Sequence, residues 1–215
     1  MNKIYISKDA NRILTDYLEG LGCHLSFITS NDIVDPAIAN HPDIFLCKMG
    51  AADGSPIFFA EKEDLGRDYP FDVAFNAACT GKYFIHNLSY TNEKLLLAAK
   101  EMGMTLIDVR QGYTKCSIVV VAEDAIITYD EGIVQACSKY PELEVLQVSP
   151  GFVRLDGYDT GFIGGCSGRV GDEVLFNGDL FAHPDFQRIV TFIEKRGLVC
   201  RWFPDYKLTD IGSIL

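Results

Sequence analysis

The sequence predicts a mixed α/β fold, a five-fold pseudosymmetric β/α-propeller of strand-strand-helix-strand units that occupies residues 1–215 as a single domain. Three observations predict it. The 215 residues are 48% hydrophobic and 12% aromatic, enough to bury a core. One order of elements recurs along the chain with no Pro/Gly/Ser linker to divide it, and the two ends each carry half of a unit that becomes whole when they are joined.

In chain order, Ile4 to Ser7 reads as a strand with nothing before it. Asn11 to Glu19 is a helix stopped near Gly20 and Gly22, and His24 to Thr29 is the strand that returns. Ile44 to Met49 opens the next unit and Pro56 to Ala60 is its second strand, but Glu61 to Pro70 is too polar and proline-bound for much helix. The third unit opens at Ala78-Cys79-Thr80, turns at Gly81-Lys82 and continues through Tyr83 to His86. A helix from Thr91 to Met102, with Glu93 favoured in its first turn by the helix dipole, leads to a strand at Thr105 to Val109.

The fourth unit is the clearest. Lys115-Cys116-Ser117 opens an aliphatic run to Val121, Glu123-Asp124 turns it, and Ala125 to Tyr129 completes a hairpin. Apolar residues at 133, 134 and 137 place Ile133 to Tyr140 on a helix, and Glu144 to Val148 returns as a strand. Gly165-Cys166-Ser167 opens the fifth unit, with a turn at Gly171-Asp172, a strand at Glu173 to Asn177, a helix at Phe186 to Arg196 and a strand at Leu198 to Phe203. Asp210 to Leu215 then reads as an opening strand whose unit is completed by the N-terminus. Such units cannot bury their faces alone, so they pack around an axis with the opening strands innermost. Pairing the terminal strands removes the free edge. Cys47, Cys79, Cys116, Cys166 and Gly212 or Ser213 are then expected at corresponding heights near the axis.

Nineteen basic against 30 acidic residues give a net charge of −11, which argues against nucleic-acid or anionic-membrane partners and suits a small cationic or zwitterionic molecule. The start lacks the pattern of a secretory signal, and the longest aliphatic stretch, Ile118 to Ala122, is far short of the ~20 residues that span a bilayer, so a cytoplasmic location is expected. Seven cysteines, an odd number with no C-x-x-C pair, read as free thiols, each most simply a small buried hydrophobe.

The repeated unit resembles the pentein, or guanidino-group-modifying enzyme, fold of arginine and agmatine deiminases, dimethylarginine dimethylaminohydrolase, amidinotransferases and the non-catalytic translation initiation factor six. Gln111 to Cys116, Gly161 to Gly165 and Leu208 to Ser213 are similar to the signature stretches of an uncharacterised bacterial family of that fold. The resemblance implies a cysteine nucleophile, a histidine that moves protons and acidic residues that hold a cation. His41-Pro42-Asp43, followed by Ile44-Phe45-Leu46, is similar to the His-x-Asp on an opening strand of the deiminases. His183-Pro184-Asp185 repeats the pattern where a helix start explains it.

The deiminases keep their nucleophile on the C-terminal strand, which here reads Asp210-Ile211-Gly212-Ser213, so Cys116 stands as the substitute. A cation would lower its pKa. Yet successive strand residues face opposite sides, which turns Lys115 away and leaves a buried thiol as the alternative. Gly164-Gly165 resembles the deiminases' Gly-Gly turn, with Cys166 where an acid is expected. Asp210 and Ser213 are the remaining substrate-binding candidates, Asp210 having a turn cap as its plainer role. Tyr113, Tyr158 and Phe162 are set at a pocket mouth or in packing, and Trp202 in the core of the last strand. Four thiols with His41 also suggest a soft-metal site, but ligands on separate strands need not converge to the ~2.3 Å that zinc–thiolate bonds require, so neither a metal nor a cofactor is assigned.

Three readings follow. The first is a cysteine-dependent hydrolase or transferase of a guanidine, amidine or similar C–N centre, with Cys116 as nucleophile, His41 as general acid/base, and Asp43 and Asp210 holding the cation. The second is a non-catalytic binding protein on the same fold, and the third a metal- or redox-responsive protein.

Overall fold

A computed structural model describes residues 2–29 and 32–215. Strand β1 (Lys3–Ser7) leads into helix α1 (Arg12–Gly20), which begins where the Asn11 side chain accepts the Ile13 N–H and buries Leu14 and Leu18, four residues apart. Strand β2 (His24–Ile28) returns parallel to β1, with Lys3 opposite His24. A one-turn helix α2 (Pro42–Phe45) then precedes β3 (Leu46–Lys48), which pairs antiparallel with β4 (Ile57–Phe59). A single 3₁₀ turn at Lys62–Asp64 follows in place of a helix, and among the described residues this sheet has no third strand.

The next three units are complete. The first has β5 (Ala78–Cys79), β6 (Tyr83–His86), α3 (Glu93–Glu101) and β7 (Thr105–Asp108). The second has a one-turn helix α4 (Thr114–Ser117), β8 (Ile118–Ala122), β9 (Ala125–Thr128), α5 (Glu131–Cys137) and β10 (Glu144–Gln147). The last has β11 (Ser167–Val170), β12 (Glu173–Phe176), α6 (Phe186–Glu194) and β13 (Val199–Trp202). In each, the middle strand pairs antiparallel with the strand before it and parallel with the strand after the helix. The result is a mixed α/β fold of five small sheets, none closed on itself. No described helix is long and apolar enough to cross a membrane.

Two sequence expectations change here. Residues 44–45 and 115–117, read as the starts of strands, lie instead in the helical turns α2 and α4: Pro42 fixes φ at the first helical position, and the Ser117 N–H and hydroxyl both donate to the Tyr113 carbonyl. Residues 210–215 form no regular strand, because Gly212 (φ 70°) and Ser213 (φ 72°) both enter the left-handed region. Leu215 nevertheless exchanges two backbone hydrogen bonds with Tyr5, at 2.6 and 3.1 Å.

Apolar clusters join neighbouring units. Ile85 and Ile107 pack with Val120, Ile126 and Ile133 of the following unit, and Val119, Val121 and Ile127 pack in turn with Val174, Phe176 and Ile189. Ile4, Ile6 and Leu14 share a cluster with Leu175, Phe203 and Ile214. The opening strands touch in sequence, β3 beside β5, β5 beside β8 and β8 beside β11, and the Ile214 N–H donates to Ser167 O at 2.9 Å. Trp202, expected in the core, is only half-buried and meets Phe186 edge-on at 5.0 Å.

Candidate active site

Helical turns put α2 and α4 where strands would have dispersed their side chains. In α4, Lys115 and Cys116 both reach inward, which corrects the expectation that they point apart. The Cys116 thiol donates to Asp43 Oδ2 at 3.1 Å, while the Lys115 ammonium donates to Ser213 Oγ at 2.9 Å. The Ser213 hydroxyl closes the chain by donating to the same Asp43 Oδ2 at 2.6 Å. Three candidates far apart in sequence, Asp43, Cys116 and Ser213, therefore meet at one carboxylate oxygen.

Asn76 ties this network to the backbone. Its Oδ1 accepts the N–H groups of Lys115 and Cys116 at 2.8 and 3.2 Å, and its Nδ2 donates to the Asp43 carbonyl at 3.0 Å and to Cys116 Sγ at 3.2 Å. Neither Asn76 nor Lys115 was assigned to the site from the sequence. Lys115 was discounted by strand alternation, and nothing around Asn76 marks it out, since its importance arises only when two distant turns converge on it.

His41 and Asp210 form the second half. Asp210 Oδ2 accepts the Phe162 N–H at 2.9 Å and Oδ1 accepts the Gly212 N–H at 3.0 Å, so the aspartate caps a turn, while His41 Nδ1 lies 3.8 Å from Oδ1. Gly165 makes this approach possible: a Cβ there would sit 2.1 Å from Asp210 Oδ1. Its carbonyl also accepts the Ser213 N–H at 2.7 Å. The small-residue stretch therefore admits a carboxylate of the chain itself. Cys166 stays apart, with its thiol turned to the Ile163 carbonyl at 3.1 Å.

All these groups are buried. Burial pushes the Cys116 thiol well up, and the Asp43 and Asp210 carboxylates push it further. Burial also raises Asp43, raises Asp210 to about 6, and lowers His41 and Lys115. Two buried polar atoms in the cluster, His41 Nδ1 and Asp43 Oδ1, have no hydrogen-bond partner. His41 and Asp210 also line a cleft of about 250 Å³ whose other acids are Asp9 and Asp156.

Other candidates fall elsewhere. His183 Nε2 and the Asp185 carboxylate clamp the Ser149 carbonyl and N–H at 3.2 and 2.7 Å, so this His-Pro-Asp is structural; Asp185 begins α6 without a side-chain cap bond. The Tyr113 and Phe162 rings lie 6.2 Å apart, whereas Tyr158 lines a different cleft with Phe152 and Tyr206. The four thiols do not converge: Cys47 and Cys79 meet each other, while Cys116 and Cys166 turn to the partners given above. No three His, Cys, Asp or Glu among the described residues are grouped to hold a metal ion.

These five small sheets have a pentein-like fold, as the likeness to a solved deiminase shows. The agmatine deiminase of C. jejuni is a solved structure similar to it, at 8% identity and a TM-score of 0.50 over 97% of this chain and 91% of that one; the likeness is one of fold. Residues 53–215 match a family of unknown function (DUF6873), and the chain belongs to that family. The match covers Asn76, Lys115, Cys116, Asp210 and Ser213, and His41 and Asp43 precede it. No curated protein matches the chain.

Proposed function

We propose that the whole chain is one five-bladed β/α-propeller domain, closed where Leu215 pairs with Tyr5, and that it acts as a cytoplasmic cysteine hydrolase or transferase on a small guanidine, amidine or similar cationic C–N compound. The observation that carries this reading is the contact between Cys116 Sγ and Asp43 Oδ2 beside the unpartnered His41 Nδ1 and Asp43 Oδ1. A thiol, a proton acceptor and a histidine held within one cluster are the parts that nucleophilic attack on an amidinium carbon needs. Asp210, Asp9 and Asp156 supply negative charge at the cleft, where a cation would enter.

In this reading Cys116 passes its proton to Asp43 as its sulfur bonds to the amidinium carbon. His41 protonates the departing nitrogen, and water then displaces the sulfur, so that amidine and water become amide and ammonia. Because burial raises the thiol, the thiolate forms only as the cationic substrate arrives, and resting reactivity is low. Asp210 and Ser213 hold the site's shape through Gly212 and Asp43, and Gly165 lets them approach.

The test is alkylation of the native protein from pH 5 to 9 with a haloacetamidine and with iodoacetamide, mapped by peptide. Cys116 is expected to react at least about tenfold faster with the cationic reagent, and Asp43→Asn to remove that preference. If all seven cysteines react slowly with both reagents until the protein unfolds, the enzyme reading is lost. One observation favours that outcome and a non-catalytic binding protein instead: Cys116 is 3% exposed and faces two carboxylates.

A further inference from the structure

Three sulfur atoms outside the candidate active site form a nearly equilateral triangle. Cys47 and Met49 lie two residues apart and share a face at the end of β3, and Cys79 lies on the neighbouring β5. Cys47 Sγ is 3.6 Å from Cys79 Sγ, and Met49 Sδ is 3.9 and 3.8 Å from the two thiols. A point equidistant from the three lies about 2.2 Å from each, close to the ~2.3 Å of a zinc–thiolate bond.

A second observation concerns charge. Cys47 and Cys79 line a narrow cavity together with Lys48, Lys115 and Arg169, and no aspartate or glutamate side chain is among its lining residues. The Lys48 ammonium has no hydrogen bond or ion pair among the described residues, the Lys115 ammonium donates only to the Ser213 hydroxyl, and Arg169 donates to the carbonyls of Val121 and Gly171. Three cations thus face one space whose lining carries no aspartate or glutamate, while the carboxylates that act on them, Asp53 on Lys48 and Asp43 and Asp210 on Lys115, lie outside it. The free space at its centre, about 20 Å³, suits a single water or monatomic ion and is too small for a phosphate.

We propose that Cys47, Cys79 and Met49 bind one copper(I) ion in a trigonal three-sulfur site whose net charge is balanced by Lys48, Lys115 and Arg169. Two thiolates and a thioether are soft ligands that select copper(I), whereas zinc prefers four donors in a tetrahedron. Binding displaces one proton from each thiol, so two thiols and a copper(I) ion become an anionic complex with charge −1 and two released protons. That anion meets the cations of the cavity, and affinity rises with pH as the protons leave. The ion enters by the cavity, and the site changes no oxidation state.

The test is an anaerobic titration of the fully reduced protein with copper(I) against a coloured copper(I) chelator, with X-ray absorption on the product. Wild type is expected to take one equivalent and to show three sulfur neighbours at about 2.2–2.3 Å. Met49→Leu is expected to weaken binding by at least the ~10-fold that loss of an outer-shell partner costs. Cys116→Ser is expected to bind as wild type does, which keeps this result separate from the fate of the proposed enzyme. The Cys47→Ser/Cys79→Ser variant should lose the equivalent, its fold checked by far-UV circular dichroism. Failure of the wild type to compete for copper, fewer than three sulfur neighbours, or full binding by the double variant overturns the proposal.

Discussion

A single buried thiol, Cys116, and a buried pair, Cys47 and Cys79, have opposite surroundings. Cys116 faces the carboxylates of Asp43 and Asp210, while Cys47 and Cys79 share a cavity with Lys48, Lys115 and Arg169. Burial raises both the Cys116 and the Cys79 thiols, so the neighbouring charges decide what chemistry remains. Carboxylates keep Cys116 protonated and pair it with a base, whereas cations favour whatever brings negative charge to the other pair. Lys115 belongs to both, since its ammonium binds Ser213 in the first cluster and lines the second cavity.

The largest effect that would sharpen this contrast is expected from Asp43→Ala. It removes the carboxylate oxygen that accepts from Ser213 and Cys116 and the negative charge that acts on buried Lys115, and a loss of about 3–5 kcal/mol is expected from urea denaturation. A loss below about 1 kcal/mol would mean that the carboxylate does not hold the cluster together.

Acid titration is next. Asp210 binds its proton at about 6 in the folded chain against about 4 when unfolded, so the folded state holds more protons between those values. Its contribution to stability is therefore greatest below pH 4 and is lost as pH rises to 6, by up to roughly 3 kcal/mol. Buried His86 has the opposite sign: lowered to about 4, it stays neutral while the unfolded histidine takes up a proton, and stability falls as pH drops from about 6.5 to 4. The pH slope of stability in Asp210→Ala should thus become more positive than in wild type across this window, and that of His86→Gln less positive. Identical slopes in all three proteins would contradict both shifts.

A Gly165→Ala substitution is expected to cost about 1–3 kcal/mol by forcing its methyl into the Asp210 carboxylate, read as a lowered denaturation midpoint. The smallest effect belongs to the cationic cavity. Lys48→Met removes a half-buried charge with no partner among the described residues, so stability should stay within about 0.5 kcal/mol of wild type or rise. A marked loss would break the contrast by revealing an anion already paired with Lys48.

The hairpins of β8–β9 and β11–β12 and the strands after α5 and α6 were legible because each follows alternation or helical period over several residues, and turn glycines or acids separate them. The one-turn helices at 42–45 and 114–117 are shorter than any periodic signal, and misreading them as strands hid the meeting of Lys115 with the site. His41, Asp43, Cys116, Asp210 and Ser213 could be nominated by residue type. Cys166 could not be told from them, because the direction of its thiol depends on the local turn to Ile163. Asn76 and Met49 carried no local signal at all, since each matters only through partners on another element.

The sharing of apolar patches between neighbouring units is uneven around the molecule. Val34, Ile38, Ala39 and Ile44 form only a small patch beneath the segment that carries His41 and Asp43, against the broad clusters joining the complete units. Segments with little buried apolar surface open at the lowest free energy. Residues 32–45 should therefore breathe ahead of the rest, and their amide exchange and the encounter of Cys116 with solvent would follow one shared opening equilibrium. In kinetic language, this buried site would be gated by its own thinnest wall.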